Sequence, residues 1–276
     1  MRFVRFLLAA SIAVPASPLI AQPAGAQDGD RLTLGLGGGI APSYDGSDDY
    51  RFQPGGVVQG SLSGFNFSMR GLNLFIDAVR DAPRAQTDLI AGPVFQIQTN
   101  RSGGIEDRQV RRLGTISATL EAGAYAGVAR QGVLNRFDRV SFDLAFVHDV
   151  GGVHKSYTVT PSIGYFTPLD RKTIANLGLS ARYAGSGYRR TYFDVSPAGS
   201  AASGLATYAT GGAGFTQGSA TLLLGRALGP DPMKGASLFS LGSYSRMLGD
   251  AARSPIVRDA GSRDQWFGVA GIAYSF

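Results

Sequence analysis

The sequence predicts an all-β fold: an antiparallel transmembrane β-barrel of the outer-membrane type, with about twelve strands. Three observations carry the prediction. Segments of about ten residues alternate apolar and polar side chains, which is the length and period of a tilted membrane strand with one lipid face and one lumen face. The chain ends on an aromatic residue, Phe276, at the close of such a segment. No stretch is apolar over the ~20 residues that a spanning helix needs, so strands are left to do the crossing.

At the N-terminus, Arg2 and Arg5 precede an apolar run from Phe6 to Val14, and small residues follow up to Ala24-Gly25-Ala26. This is the pattern of a Sec signal peptide with an A-x-A cleavage site. The expected organisation is a signal over residues 1–26 and one barrel domain over residues 27–276, delivered to the outer membrane of a Gram-negative cell. Cysteine is absent from the 276 residues, so neither a disulfide framework nor a thiolate metal site is available. The 39 glycines, 11 tyrosines and 16 phenylalanines argue against a helical globule. A mean hydropathy of +0.02 fits strands with two unlike faces. The net charge of +6 includes the two signal arginines. The remainder suits anionic lipid headgroups and lipopolysaccharide, and no Lys/Arg cluster interleaved with aromatics points to nucleic acid.

Strands are expected in order from the first alternation. Over 31–41, Leu32, Leu34, Leu36 and Ile40 oppose Thr33 and the glycines Gly37, Gly38 and Gly39. Segments 51–61, 64–77 and 87–99 follow. Over 114–128, Ile116, Leu120, Ala122, Ala124 and Val128 oppose Thr115, Ser117, Thr119, Glu121 and Tyr125. Over 138–149, Val140, Phe142, Leu144 and Phe146 oppose Ser141 and Asp143. Next come 153–167 and 172–184, the latter with Ala175, Leu177, Leu179 and Tyr183 opposing Asn176, Ser180 and Arg182. The series ends with 216–228, 236–248 and 265–276, where Trp266, Ala270, Ile272, Tyr274 and Phe276 share a face. That terminal strand is expected to be the signal read by the outer-membrane assembly machinery. Eleven segments conflict with the even count of a single-chain bacterial barrel, which places the miscount between residues 50 and 112 or within 185–215. Ser63-Gly64, Pro168 to Lys172, and Gly229-Pro230-Asp231-Pro232 suit short periplasmic turns, and the polar stretches 42–50, 185–215 and 249–264 suit the outside.

Alternation turns Glu121 and Asp143 inward on neighbouring strands, into a lumen that also receives Arg182 and Arg70. These groups either line a water-filled passage or form a salt-bridged plug, and a twelve-strand bore favours the plug. His148 and His154 flank Gly151-Gly152, either meeting across a hairpin or standing as two histidines at a strand end. No third ligand has a fixed spacing, so no metal site is expected. Asp45, Asp48 and Asp49 share a loop without EF-hand spacing and read as a solvated turn. Ser141 or Ser162 could be combined with His148 as a hydrolase pair, but neither sits in a nucleophile motif. No catalytic residue and no cofactor are expected, and Gly37-Gly38-Gly39 is not a phosphate loop because no Lys-Ser/Thr follows it.

Four motifs carry a family resemblance. They are Pro42 to Tyr50, containing Tyr44, Gly46, Ser47 and Asp48; Glu121-Ala122-Gly123-Ala124; Tyr192-Phe193-Asp194-Val195-Ser196 followed by Ser203-Gly204-Leu205; and Ser245 to Asp250 leading to Ser254-Pro255-Ile256-Val257. Over nearly the whole mature chain the sequence resembles the MipA/OmpV family of outer-membrane proteins. It departs from that pattern at Ser156, after His154-Lys155, and at Asp194, after Tyr192-Phe193, where glycine is expected. The resemblance implies a scaffold that brings a murein lytic transglycosylase and, through it, a peptidoglycan synthase together at the cell wall. Other relatives look like adhesins, surface antigens or small-solute channels. A scaffold would act through periplasmic turns, which in the sequence are short and show no evident apolar patch.

Overall fold

The structure, a computed structural model, describes residues 30–80 and 86–276. The expected signal over 1–26 lies outside the described residues. The first strand, β1 (Arg31–Pro42), runs antiparallel to β2 (Tyr50–Leu62), and a tight turn at Ser63-Gly64 leads into β3 (Phe65–Arg70) and β4 (Asn73–Asp77). Then come β5 (Thr87–Gln98), helix α1 (Arg108–Arg112), β6 (Thr119–Gln131), β7 (Arg139–Asp149), β8 (Tyr157–Pro168) and β9 (Thr173–Ala184). Helices α2 (Ser186–Phe193) and α3 (Pro197–Ser203) precede β10 (Gly214–Ala227) and β11 (Gly235–Met247), and α4 (Gly249–Arg253) and α5 (Pro255–Arg258) precede β12 (Asp264–Ser275). The twelve strands close into one antiparallel barrel, with β1 paired to β12 from Thr33↔Ser275 to Ile40↔Gly268. Closure leaves no sheet edge for another chain to extend.

The strand missing from the sequence count is the hairpin inside 64–77. Phe65 and Met69 are exposed in β3, whereas Asn73, Phe75 and Asp77 are buried in β4. The inward parity therefore switches between two runs of odd-numbered residues, and Gly71, at φ +57°, makes the turn. The hairpin is short, pairing Val57–Leu62 of β2 on one side and reaching β5 at Asn73↔Gln96 on the other.

The sixth strand also starts later than the alternation predicts. Residues 114–118 belong to the loop before it, and Ile116 packs against buried residues of α2, α4 and α5 instead of facing lipid. Elsewhere the outward face is as expected: Leu36, Phe52, Leu89, Phe142, Leu144, Ile163, Leu179, Trp266 and Ile272 are all exposed, a continuous apolar belt around the wall. No helix among the described residues is long and apolar enough to cross a membrane.

The turns at 63–64, 132–138, 169–172 and 228–234, the start of β1 and Phe276 lie at one end of the barrel, here the turn end, while the Gly71 turn and the 150–156 turn are directed toward the other. All five helices lie in connections at the other, the loop end.

Candidate functional site

At the loop end the connections fold over the barrel mouth. Start and stop chemistry explains their helices. Asp107 accepts the Val110 N–H to begin α1 at 2.8 Å, and Ser196 accepts the Gly199 N–H ahead of Pro197 in α3. Gly204, at φ +80°, ends α3. The Ser196-Pro197…Gly204 signals were available in the sequence, but they sit inside a stretch that composition presents as a long polar loop. Two adjoining apolar clusters form the body of this cap. One contains Tyr188, Tyr192, Phe193, Met247 and Val257, and the other Tyr44, Val110, Val195, Leu205 and Ile256.

The family motifs meet here. Tyr44, Gly46, Ser47, Tyr192, Phe193, Ser254 and Pro255 are buried, and only Asp48 of that set is exposed. Tyr44 Oη donates to Ala260 O at 2.6 Å, Gly46 N to Gln265 Oε1 at 3.1 Å, and Ser254 Oγ to Phe193 O at 2.6 Å. Gly46 adopts φ +94° with Val257 packed against the place a Cβ would occupy, so both its backbone and its surroundings demand glycine. Burial, and for Tyr44 the nearby Asp107, lifts the phenols of Tyr44 and Tyr188 well above the ordinary tyrosine range, so both stay neutral donors. At the outer face of the cap, Asp250 accepts from Gly211 N at 3.0 Å and pairs with Arg189 and Arg253. These contacts, the Gly211 N–H first, hold its carboxyl below the ordinary carboxylate range.

Beneath the cap lies a polar layer. Arg182 Nη1 donates to Asp45 Oδ2 at 2.8 Å and to Tyr188 Oη at 2.9 Å. Gln98 reaches Tyr188 Oη at 3.1 Å and holds Asn100, whose Oδ1 takes the Asp45 N–H at 3.0 Å. Beside this ring, Glu121 Oε1 lies 2.8 Å from His154 Nε2, both side chains wholly buried, and Glu121 Oε2 accepts from Gln96 at 2.8 Å. Asp149 shapes the turn that delivers His154, accepting from the N–H groups of Gly152, His154 and Lys155. Gln96, Gln98 and Asn100 carried no motif that marked them in the sequence; neutral amides become informative only when strand register brings them together.

The sequence candidates are thus divided. Glu121 and Arg182 both sit in this layer, each with a partner other than the other: His154 for Glu121, Asp45 for Arg182. Asp143 does not join them. Glu121 stands opposite Asp149, while Asp143 stands opposite Gly127, farther toward the turn end, where it accepts from Ser162 Oγ at 3.1 Å. Arg70 ends β3, and its side chain lies outside the described part of the structure. His148 is exposed on the outer face of β7 and His154 is buried, so the two do not meet, and His148 is equally remote in direction from the buried Ser141 and Ser162. Asp45 is taken by Arg182, and no group of three or more His, Cys, Asp or Glu among the described residues is arranged to hold a metal.

Below the polar layer the lumen widens into a cavity of about 770 Å3 that opens at the turn end. Its wall includes Phe75, Ile90, Tyr125, Phe166 and Leu223, and its rim includes Arg31, Arg139, Arg171, Lys172 and Arg226. The turns around this mouth correct the expectation of an end without apolar surface: Val133, Leu134, Phe137 and Leu169 are exposed there, Leu134 by 76%. Val133, Leu134 and Phe137 project because Asp138 accepts the N–H groups of Val133, Leu134 and Asn135 and so ties their turn into a compact knob, beside which Leu169 stands in the turn between β8 and β9.

Among solved structures, the anion-selective porin from Comamonas acidovorans is 9% identical, with 90% of this chain and 99% of that chain covered and a TM-score of 0.38. The Pseudomonas putida toluene transporter TodX is 10% identical, with 97% and 94% covered and a TM-score of 0.38. No curated protein matches the chain. The family described as MltA-interacting protein MipA matches residues 34–276, from the first strand to the terminal phenylalanine. The chain is an outer-membrane β-barrel protein and belongs to the MipA family.

Proposed function

We propose that this barrel is a scaffold, exported through the Sec pathway with cleavage after Ala26, that presents its turn end to cell-wall enzymes in the periplasm. The carrying observation is the asymmetry of the lumen. The loop end is filled by buried, hydrogen-bonded side chains, and the turn end is open and bears the exposed Leu134, Phe137 and Leu169. Short turns and the chain terminus at that end support its assignment to the periplasm. A closed outer mouth fits a protein that docks partners better than one that passes solutes. Exposed apolar residues on a rigid turn are what a docking contact uses. The partner proposed is a murein lytic transglycosylase, after the interaction named in the family's description, with a peptidoglycan synthase joined through it.

Two assays on the full barrel decide between this reading and a small-solute channel. After reconstitution in planar bilayers, a scaffold shows no steady ion current. From detergent extracts, wild type captures the lytic transglycosylase and Leu134→Glu does not. A steady current whose selectivity changes in Glu121→Gln would overturn the scaffold in favour of the channel. No current and no capture would leave the adhesin or surface-antigen reading, carried by the loop end.

A further inference from the structure

We propose that the turn-end cavity is a binding site for a single-chain anionic amphiphile, with the acyl chain in the lumen and its carboxylate or phosphate at the basic rim. This goes beyond the scaffold reading, because it holds whichever protein meets the rim.

The first argument is the chemistry of the wall. The inner face of an outer-membrane barrel is ordinarily polar, since the lumen holds water or a polar plug. The upper part of this lumen obeys that rule, with Glu121, Arg182, Gln98 and His154. The lower part mixes apolar side chains into that wall: beside Gln59, Asn66, Ser68 and Asp143, the residues Phe75, Ile90, Phe166, Leu223 and Ala273 line it and are 3–9% exposed. Leu223 with Ile174 and Phe75 with Tyr125 line the cavity as parts of two inward apolar clusters, whose other members Leu241, Val94 and Val147 are not in its lining. Apolar side chains spent on a lumen wall, while the lipid face has its own full set, call for an apolar occupant.

The second argument is size and shape. A volume of about 770 Å3 lies within the range of small-molecule sites, roughly 300–1,000 Å3. The cap and the polar layer close its far end, so a ligand enters and leaves through one mouth, tail first. Such a blind pocket suits a molecule with one apolar end and one polar end.

The third is charge at the mouth. Five cationic residues and three aspartates line the cavity. The aspartates keep their charge: Asp77 accepts the N–H groups of Val79 and Ala91, Asp143 accepts the Ser162 hydroxyl, and Asp170 accepts the N–H groups of Lys172 and Thr173 and pairs with Arg226. Among the cations, Arg139 pairs with Asp88 at 2.7 Å, and Arg226 donates to Thr173 Oγ1 at 2.8 Å and forms a looser pair with Asp170 at 3.7 Å, both side chains of that pair being more than half exposed. Five cations against three aspartates leave the cavity lining net positive, with Arg31, Arg171 and Lys172 at the opening beside the solvent-exposed Arg226–Asp170 pair, and a guanidinium is suited to a carboxylate or a phosphate alike.

The test uses the full chain held in amphipol, because detergent is itself an amphiphile. Equilibrium dialysis is run with labelled oleate, lysophosphatidylglycerol and the uncharged monoolein. The expected result is one saturable equivalent of each anion. The double substitution Arg31→Gln with Arg226→Gln should weaken both anions about tenfold, the sum of two partly exposed ionic contacts, and leave monoolein within about twofold. Ala273→Trp, which fills the cavity from its wall, should abolish saturable binding of all three. Tighter binding of oleate would identify a free fatty acid as the source of the ligand, and tighter binding of the lysolipid would identify a membrane lipid. Absence of saturable binding to wild type overturns the site, as does unchanged binding in a folded Ala273→Trp protein. Equal losses for monoolein and oleate in the rim variant overturn the anionic assignment. Should Ala273→Trp fail to fold, the rim variant, altered only at the mouth, still decides.

Discussion

Replacing Asp45 by alanine tests whether the cap is a rigid seal or a loose set of loops. Asp45 is 7% exposed and Arg182 8%, and their contact at 2.8 Å joins the first loop to β9 and, through Tyr188, to α2. Asp45→Ala leaves a buried guanidinium hydrogen-bonded to the Tyr188 hydroxyl, with the Glu121 carboxylate, itself engaged by His154, as the remaining nearby opposite charge. Breaking one side of a buried, hydrogen-bonded pair costs about 3–5 kcal/mol. The twelve-strand wall does not depend on this contact, so the loss should fall on local opening of the cap and leave global unfolding nearly unchanged. At ~1.4 kcal/mol per tenfold, amide exchange in segments 43–49 and 186–195 should accelerate by roughly two to three and a half orders of magnitude. Exchange in β10 and β11 should hardly move. Hydrogen exchange with mass spectrometry on the reconstituted barrel reads both. The companion Arg182→Met and the double variant complete a cycle, and the double variant should exchange more slowly than Asp45→Ala because no unpaired charge remains buried. Unchanged exchange in Asp45→Ala, or a double variant as open as the single, would refute the reasoning.

Acid should loosen the cap through Asp250, whose folded-state pKa is depressed by the Gly211 N–H and by Arg189. A depressed carboxylate contributes stability above its unfolded value, about 3.9, and loses it as pH falls through the folded value, so pepsin cleavage in segment 204–213 should rise between pH 5 and pH 3. Asp250→Asn should be cut readily at both pH values. Phe276→Ala should reduce the fraction of chain assembled in the outer membrane, while the folded barrel unfolds within about 0.5 kcal/mol of wild type, because the ring is 61% exposed; equal losses in both would refute its role as an assembly signal. Gly39→Val should weaken the barrel seam, since a Cβ there runs into Gly268 O of β12, whereas Gly38→Ala meets only the movable ring of Phe52. Heat-dependent gel mobility separates the two.

What the sequence reveals of this fold follows from where each constraint resides. Period-2 alternation is a local pattern, and it locates β1, β7 and β9 almost to the residue. The β3–β4 hairpin escaped because odd-numbered positions face outward at Phe65 and Met69 but inward at Asn73, Phe75 and Asp77, and a single Gly71 is all that marks the reversal. The cap escaped for a different reason. Its helices have four to eight residues and little apolar periodicity; Asp or Ser caps start α1, α3 and α5, while α2 and α4, without a side-chain cap, are held by tertiary burial. Inward charges on Glu121 and Arg182 were legible from alternation, but their partners were not. Pairing with His154 and Asp45 depends on which loop returns to which strand, and His154 lies in a turn beyond the reach of strand parity.

The position of the family motifs bears on where this protein's specificity resides. Residues that carry the resemblance, from Tyr44 and Gly46 to Ser254 and Pro255, are those that interlock to close the loop end. The two departures fall in the same cap and are absorbed by it. Asp194 Oδ1 accepts from both Thr210 N and Thr210 Oγ1 at 2.7 Å, fastening the bridge between Val195 and Tyr208. Ser156 is buried against Gly185 and Gly187, whose missing side chains leave room for it. A motif can therefore define the family by defining its lid, while saying little about partner or ligand. The mouth and its knob are built from other residues, Arg31, Leu134, Phe137, Leu169 and Arg226, none of which belongs to those motifs. Two members with the same cap could thus serve different partners, and a change of function within such a fold needs substitutions only where the turns and the cavity wall meet.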